Sequence, residues 1–144
     1  MPEPTPGSRA AGTLAWLAED GATTSDALTA LIVALEAGDA SALVIDMIEQ
    51  GLDQATQEAV ISHLRRRGAT GMPVFLLTRS SAILDLAAVG PDEAIILCPA
   101  NHAPPLMVPP YPGAPGFEAV ATCLAAPEVR ARTAGVVAVR PAAA

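Results

Sequence analysis

The sequence predicts an α/β fold with a partial parallel sheet of about three to four strands joined by crossover helices. Short apolar runs without strict alternation occur at 42–48, 73–78 and 93–98, as expected for parallel strands buried on both faces. Segments with helical spacing separate these runs, and such alternation implies right-handed crossovers within one sheet. With 51% hydrophobic and 16% charged residues, the chain has the composition of a packed core.

The N-terminal segment is predicted to be a flexible tail over residues 1–11, because prolines alternate there without an apolar face. A single α/β domain is predicted over residues 12–144, since 144 residues are the size of one domain. Its first helix spans 24–37, with Thr24 or Ser25 as N-cap and Gly38 as the stop. Apolar side chains repeat at helical spacing inside it: Leu28, Leu31, Ile32 and Leu35.

A second helix is predicted between the strands at 42–48 and 73–78. Asp53 is its N-cap, and three arginines followed by Gly68 favour its C-terminal end. A shorter helix over 80–89 precedes the third strand.

The last part of the chain is predicted to be less regular. Seven prolines between residues 99 and 116 indicate a long surface loop. A helix over 117–125 and an edge strand over 135–139 follow it. Cys98 and Cys123 belong to no CxxC pair, and both are expected to be buried thiols.

Charge and hydropathy exclude several classes of partner. The net charge of -7 and the location of the one basic cluster at a helix end argue against nucleic-acid binding. No apolar run reaches the roughly 18 residues needed to cross a bilayer, so membrane insertion is not expected. The first residues have neither a basic head nor an apolar stretch for export, and a cytoplasmic location is therefore expected.

The most informative motif is LVIDMIEQGLD over residues 43–53. It resembles the Walker B strand and D-loop of ABC-type ATPases, in which a hydrophobic strand ends in Asp-Glu and Gly-Leu-Asp follows. The form of the D-loop is closer to the SMC-like and AAA-type ABC ATPases than to transporter subunits. The resemblance implies that Gln50, Gly51, Leu52 and Asp53 lie at a subunit interface, and Asp53 also serves as the helix cap.

Other segments match the same family in the same order. Thr78-Arg79-Ser80 occupies the place of its switch Thr-His, and Asp20-Gly21 lies where the family has its signature sequence. The resemblance covers residues 17–98, which correspond to the C-terminal half of the ATPase domain. It implies a truncated P-loop NTPase-like fold.

The parts needed for ATP hydrolysis are missing. All eight basic residues are arginine, so no lysine can hold phosphates, and residues 7–13 only imitate the glycine spacing of a Walker A loop. By the resemblance, Met47 stands at the position of the catalytic Glu and Arg79 at that of the switch His, so both positions are degenerate. Asp46 corresponds to the magnesium-holding carboxylate. It could act so only with a nucleotide bound, and the competing interpretation is a strand-end carboxylate bound by neighbouring amides.

The resemblance and the losses together predict a non-catalytic pseudo-ATPase subunit without a cofactor of its own, acting as a protein-interaction or regulatory module. The partner would be a complete ATPase subunit or a second copy of the chain. One alternative is a subunit that completes a composite Mg-ATP site through Asp46, Arg79, Asp20 and Gly21. Another is a small enzyme that uses Cys98 and His102, which lie four residues apart where a strand enters the Pro-rich loop.

Overall fold

A computed structural model describes residues 2–68, 71–99 and 102–123. Its helices and strands follow in this order: α1 (Pro6–Glu19), α2 (Asp26–Glu36), β1 (Leu43–Asp46), α3 (Gln54–Arg67), β2 (Val74–Leu77), α4 (Ser81–Leu84), a 3-10 helix (Leu86–Ala88), β3 (Ile95–Leu97), β4 (Leu106–Val108) and α5 (Phe117–Cys123). The predicted mixed α/β character is confirmed. The helix predicted over 117–125 extends beyond the last described residue. The strand predicted over 135–139 lies outside the described ranges.

The N-terminal segment differs from the prediction, because a helix begins within the supposed tail. Thr5 is the N-cap of α1, and its hydroxyl accepts a hydrogen bond from the Ser8 amide at 3.2 Å. Pro6 fits the first turn, where its missing N–H needs no partner. Ala10 is only 3% exposed and belongs to the core. The predicted flexible tail over residues 1–11 is therefore wrong from Pro6 onwards.

Helices α2 and α3 begin and end close to their predicted bounds. Ser25 caps α2 by accepting from the Leu28 amide, and Asp53 caps α3 by accepting from the Thr56 amide at 2.8 Å. Gly68 ends α3 with a φ of 61°, in the region that favours glycine.

Strands β1 and β2 form a parallel pair in which Leu43 aligns with Val74 and Asp46 with Leu77. β3 does not join this pair. It pairs antiparallel with β4, with Ile95 aligned to Val108. Of the described residues, only two strands therefore lie in the parallel sheet, fewer than the three to four predicted. Residues 106–108 form a strand inside the predicted loop because its prolines lie just outside those three positions.

The two faces of the β1–β2 pair differ. Inward side chains pack against a core that α1, α2 and α3 cover: Leu43, Ile45, Val74 and Leu76. The opposite side, here called the outer face, carries Val44, Asp46, Phe75 and Leu77, all exposed. Val44 is 64% exposed, Phe75 54% and Leu77 49%. Within the described part of the chain, the prediction that both faces of these strands are buried is therefore wrong.

A second, smaller apolar cluster lies around β3, β4 and α5. Its buried members are Ile95, Val108 and Val120. Between the clusters, Arg65 at the end of α3 donates to the Leu84 carbonyl at 2.9 Å and pairs with Glu93 at 3.0 Å. It also approaches the Asp85 carboxylate to 3.4 Å.

Asp85 interrupts the helix predicted over 80–89. Its φ of 40° separates α4 from the 3-10 helix. Within the described ranges, no helix is long and apolar enough to cross a bilayer.

Candidate functional site

Five of the predicted site residues lie at the carboxyl edge of the β1–β2 pair, which comprises the end of β1, the turn 47–51 after it and residues 78–80 after β2: Asp46, Met47, Gln50, Gly51 and Arg79. Parallel strands present their carboxyl ends at the same edge of a sheet, where ligands of open α/β sheets usually bind. The turn after β1 is tight. Two hydrogen bonds close it, because Gln50 N donates to the Met47 carbonyl and Leu52 N to the Glu49 carbonyl.

The central acidic group of this edge is Glu49, which the sequence analysis did not single out. It is 6% exposed. Its carboxylate accepts from the Thr78 hydroxyl at 2.6 Å and from the Arg79 amide at 3.2 Å. Glu49 thus joins the loop after β1 to the loop after β2. Glu49 therefore holds the two loops together by accepting hydrogen bonds, close to Asp46 and Met47, the residues that the resemblance compares with catalytic positions.

A neutral polar pair continues this network into the core. Ser80 is fully buried, and its hydroxyl donates to the side-chain oxygen of Gln57. The Gln57 amide group in turn donates to the Leu52 carbonyl at 2.9 Å. Ser80 also caps α4 by accepting from the Ala82 and Ile83 amides. Buried polar groups with such partners fix one arrangement of the two loops.

Asp46 and Arg79 are exposed at this edge. Over residues 2–68, 71–99 and 102–123, no ion pair involves either side chain and the Asp46 carboxylate accepts no hydrogen bond. The alternative in which neighbouring amides bind Asp46 is therefore wrong. Met47 beside it is 40% exposed and has a φ of 50°, which is unusual for a residue with a side chain.

The other residues expected at a subunit interface are mixed in exposure. Gln50 is exposed, whereas Leu52 is 8% exposed and belongs to the core. At Gly51 the φ is 77°, and an added Cβ would lie 3.0 Å from the Ala27 Cβ, so glycine is required there. Leu52 is unavailable to a partner while the fold is intact.

Asp53 is held by a second set of contacts. Thr23 donates its hydroxyl to the Asp53 carboxylate at 2.7 Å, and the Thr56 hydroxyl accepts from the Thr23 amide at 2.8 Å. Hydrogen bonds from Thr56 and Thr23 hold the pKa of Asp53 below its ordinary value. The carboxylate therefore joins the start of α3 to the loop before α2.

Asp20 and Gly21, the signature-like pair, lie at the end of α1. Asp20 forms an ion pair with Arg66 at 3.0 Å, and the Arg66 guanidinium lies 3.8 Å from the centre of the Trp16 ring. Gly21 has a φ of 102° and follows the helix end. No described hydrogen bond or ion pair joins Asp20 to Asp46 or Arg79, so the residues of the composite nucleotide site are not brought together by such contacts.

A shallow groove of about 350 Å³ lies between α1 and α3. Its lining residues are Gly12, Thr13, Trp16, His63, Arg66 and Arg67. The His63 ring lies 5.4 Å from the Trp16 ring, centre to centre. Burial lowers the pKa of His63 below its ordinary value; Arg67 and Arg66 lower it further, against an opposing effect of Glu36. The imidazole is thus favoured in its neutral form.

The remaining predicted features do not form a site. Residues 7–13 are part of α1 and not a loop that could wrap phosphates. Cys98 is an exposed thiol, which contradicts the prediction that it is buried, and no described hydrogen bond joins it to His102. The Cys123 side chain lies outside what the structure describes. Among the described residues, no group of three His, Cys, Asp or Glu side chains could hold a metal ion.

Comparison with protein-family models, curated proteins and solved structures finds no match.

Proposed function

We propose that the chain is a non-catalytic, ABC-ATPase-like subunit that binds another protein through the outer face of its β1–β2 pair. The observation that carries the proposal is the exposure of Val44, Phe75 and Leu77 side by side on a regular sheet surface. Adjacent exposed apolar side chains on a sheet favour association, because covering them removes apolar area from water.

The chemistry of the carboxyl edge supports a role without catalysis. Met47 offers a thioether where water would have to be polarised, and the nearby Glu49 carboxylate is buried and already accepts two hydrogen bonds. Phosphoryl transfer depends on positioning the phosphates, and this chain has no lysine for that purpose. The edge is therefore suited to maintaining the fold while the outer face meets the partner.

The test compares three tagged full-length chains as baits in extracts of the native host: wild type, Phe75→Ser and Tyr111→Ser. Tyr111 is a matched control, since it is an aromatic residue 58% exposed in the loop between β4 and α5. We expect one protein, which can be a second copy of the chain, to be retained by the wild type and Tyr111→Ser and lost with Phe75→Ser. The purified pair should then re-form from its components.

Two results would overturn the proposal. One is that no protein, including the chain itself, depends on Phe75 for binding. The other is magnesium-dependent ATP turnover by the purified chain that disappears in Asp46→Ala.

A further inference from the structure

We infer that the partner of the outer face is a second copy of this chain, arranged about a twofold axis that runs along the strands between the two faces. This inference rests on the proposed function, since it names the protein that covers the same surface. Such an axis exchanges β1 and β2, so that β1 of each protomer lies over β2 of the other. A twofold contact must be self-complementary. Each contact between a residue of one protomer and a residue of the other is therefore repeated with the protomers exchanged.

The apolar part of the face meets this requirement. Val44 aligns with Phe75 across the parallel pair, so the rotation places the small side chain of one protomer over the large one of the other, twice. Packed sheets lie about 10 Å apart, a spacing that interdigitating side chains of this size fill.

The charges decide for a second copy over an unrelated protein. Asp46 aligns with Leu77, the last residue of β2, and Arg79 lies two residues further along the chain, at most about 7 Å from Leu77. The axis therefore brings Asp46 of each protomer to within the reach of an Arg79 side chain of the other. Neither side chain has an ion pair within the described part of its own chain. Asp46 on the outer face and Arg79 just beyond β2 thus carry opposite charges, which the twofold axis places near each other across the contact.

The size of the contact sets the expected strength. Each protomer contributes two strands of four residues, which places the interface at the small end of specific contacts, below about 1,200 Å² in total. We therefore expect a reversible monomer–dimer equilibrium that is measurable by analytical ultracentrifugation over a concentration series of the full chain.

The decisive experiment reverses the two charges separately and then mixes the products. In Asp46→Arg the side chains at positions 46 and 79 are both positive, and in Arg79→Asp both are negative. Each variant alone places like charges opposite each other twice, so its dimer dissociation constant should rise about tenfold or more. An equimolar mixture should form a heterodimer at least as strong as the wild-type dimer, because every pair across the axis is again of opposite sign. A salt bridge within one chain could not produce this complementation.

Controls keep the result interpretable. Asp92→Arg makes the same charge change at an exposed turn and should leave the dimer unchanged. Circular dichroism should show that each charge-reversed variant is folded. The neutral variants Asp46→Asn and Arg79→Gln test the same contact without placing like charges opposite each other. Phe75→Ser should weaken the wild-type dimer by about tenfold or more, as for an aromatic residue at the centre of a contact.

The outcomes separate the two proposals. A wild-type chain that stays monomeric throughout, or a mixture that fails to associate while both variants are folded, overturns the second-copy arrangement. If that monomer still binds a different protein in a Phe75-dependent manner, the protein-binding function stands and only its partner changes. A dimer that survives Phe75→Ser and both reversals uses another surface and also overturns the inference.

Discussion

The two faces of the β1–β2 pair are made by alternate residues of the same eight positions, yet they differ in what surrounds them. On the inner face, Leu43, Ile45, Val74 and Leu76 pack against three helices. On the outer face, Val44, Phe75 and Leu77 remain largely exposed. Because side chains alternate along a strand, apolar residues at seven of these eight positions require cover on both sides. The described part of the chain supplies only one of those covers.

The largest effect on folding is expected from the inner side. Leu17 of α1 is fully buried, and Leu17→Ala should reduce the free energy of unfolding by about 2–5 kcal/mol. Val44→Ala on the outer face removes two carbons from a residue that is 64% exposed. It should change the free energy of unfolding by about 0.5 kcal/mol or less. Urea unfolding of the chain at a concentration where it is monomeric measures both. Equal losses would contradict the contrast between the faces.

A smaller loss is expected at the polar network of the carboxyl edge. Ser80→Ala removes the cap of α4 and leaves the Gln57 side-chain oxygen without its donor, at a cost of about 1–3 kcal/mol. Ser81→Ala is the matched control, since Ser81 is exposed and its substitution should change the unfolding free energy by about 0.5 kcal/mol or less. Stability unchanged by Ser80→Ala would mean that the network does not hold the two loops together.

The pH dependence of stability should carry a weaker contribution from the α1–α3 groove. The pKa of His63 is lowered in the folded state, so the unfolded chain binds the proton more readily. The contribution of His63 is therefore fully present above its unfolded pKa of about 6.5 and is lost as the pH falls below that value. His63→Gln should flatten the stability profile there. Unfolding midpoints between pH 5 and pH 8 provide the measurement.

The smallest expected effect is none at all. Met47→Glu combined with Arg79→His restores the side chains that the ABC resemblance implies, and we expect no magnesium-dependent ATP hydrolysis from the purified double variant. Both groups would act on a phosphate that nothing in the described part of the chain is placed to hold. Because Met47 is 40% exposed, the added carboxylate stays hydrated, and the fold should be retained. Phosphate release above a protein-free control would reveal a phosphate site.

Local signals predicted the central elements well. Ser25 and Asp53 cap the helices as expected, since a short polar side chain before an apolar periodic segment satisfies the free amides of the first turn. The pairing of β1 with β2 also follows from the helix between them, which spans the distance that a parallel connection needs.

Features that depend on distant contacts were not predicted. The sequence around Glu49 resembles an ordinary turn, and only the folded chain brings Thr78 to its carboxylate. Strand β4 was likewise not predicted, because three residues between prolines show no recognisable strand pattern. It is defined by its pairing with β3. The start of α1 was missed for a different reason. Prolines break a helix interior but are compatible with its first turn, where the missing N–H needs no partner.

Arg65 links the two apolar clusters, and this has a consequence for how the molecule opens. One guanidinium at the end of α3 contacts the Leu84 carbonyl, Asp85 and Glu93, all close to the second cluster. With this link in place, amide hydrogens of β3 should exchange with solvent on the same time scale as those of α3. Without it, in Arg65→Met, the smaller cluster should become an independent cooperative unit whose amides exchange while the rest of the chain stays protected.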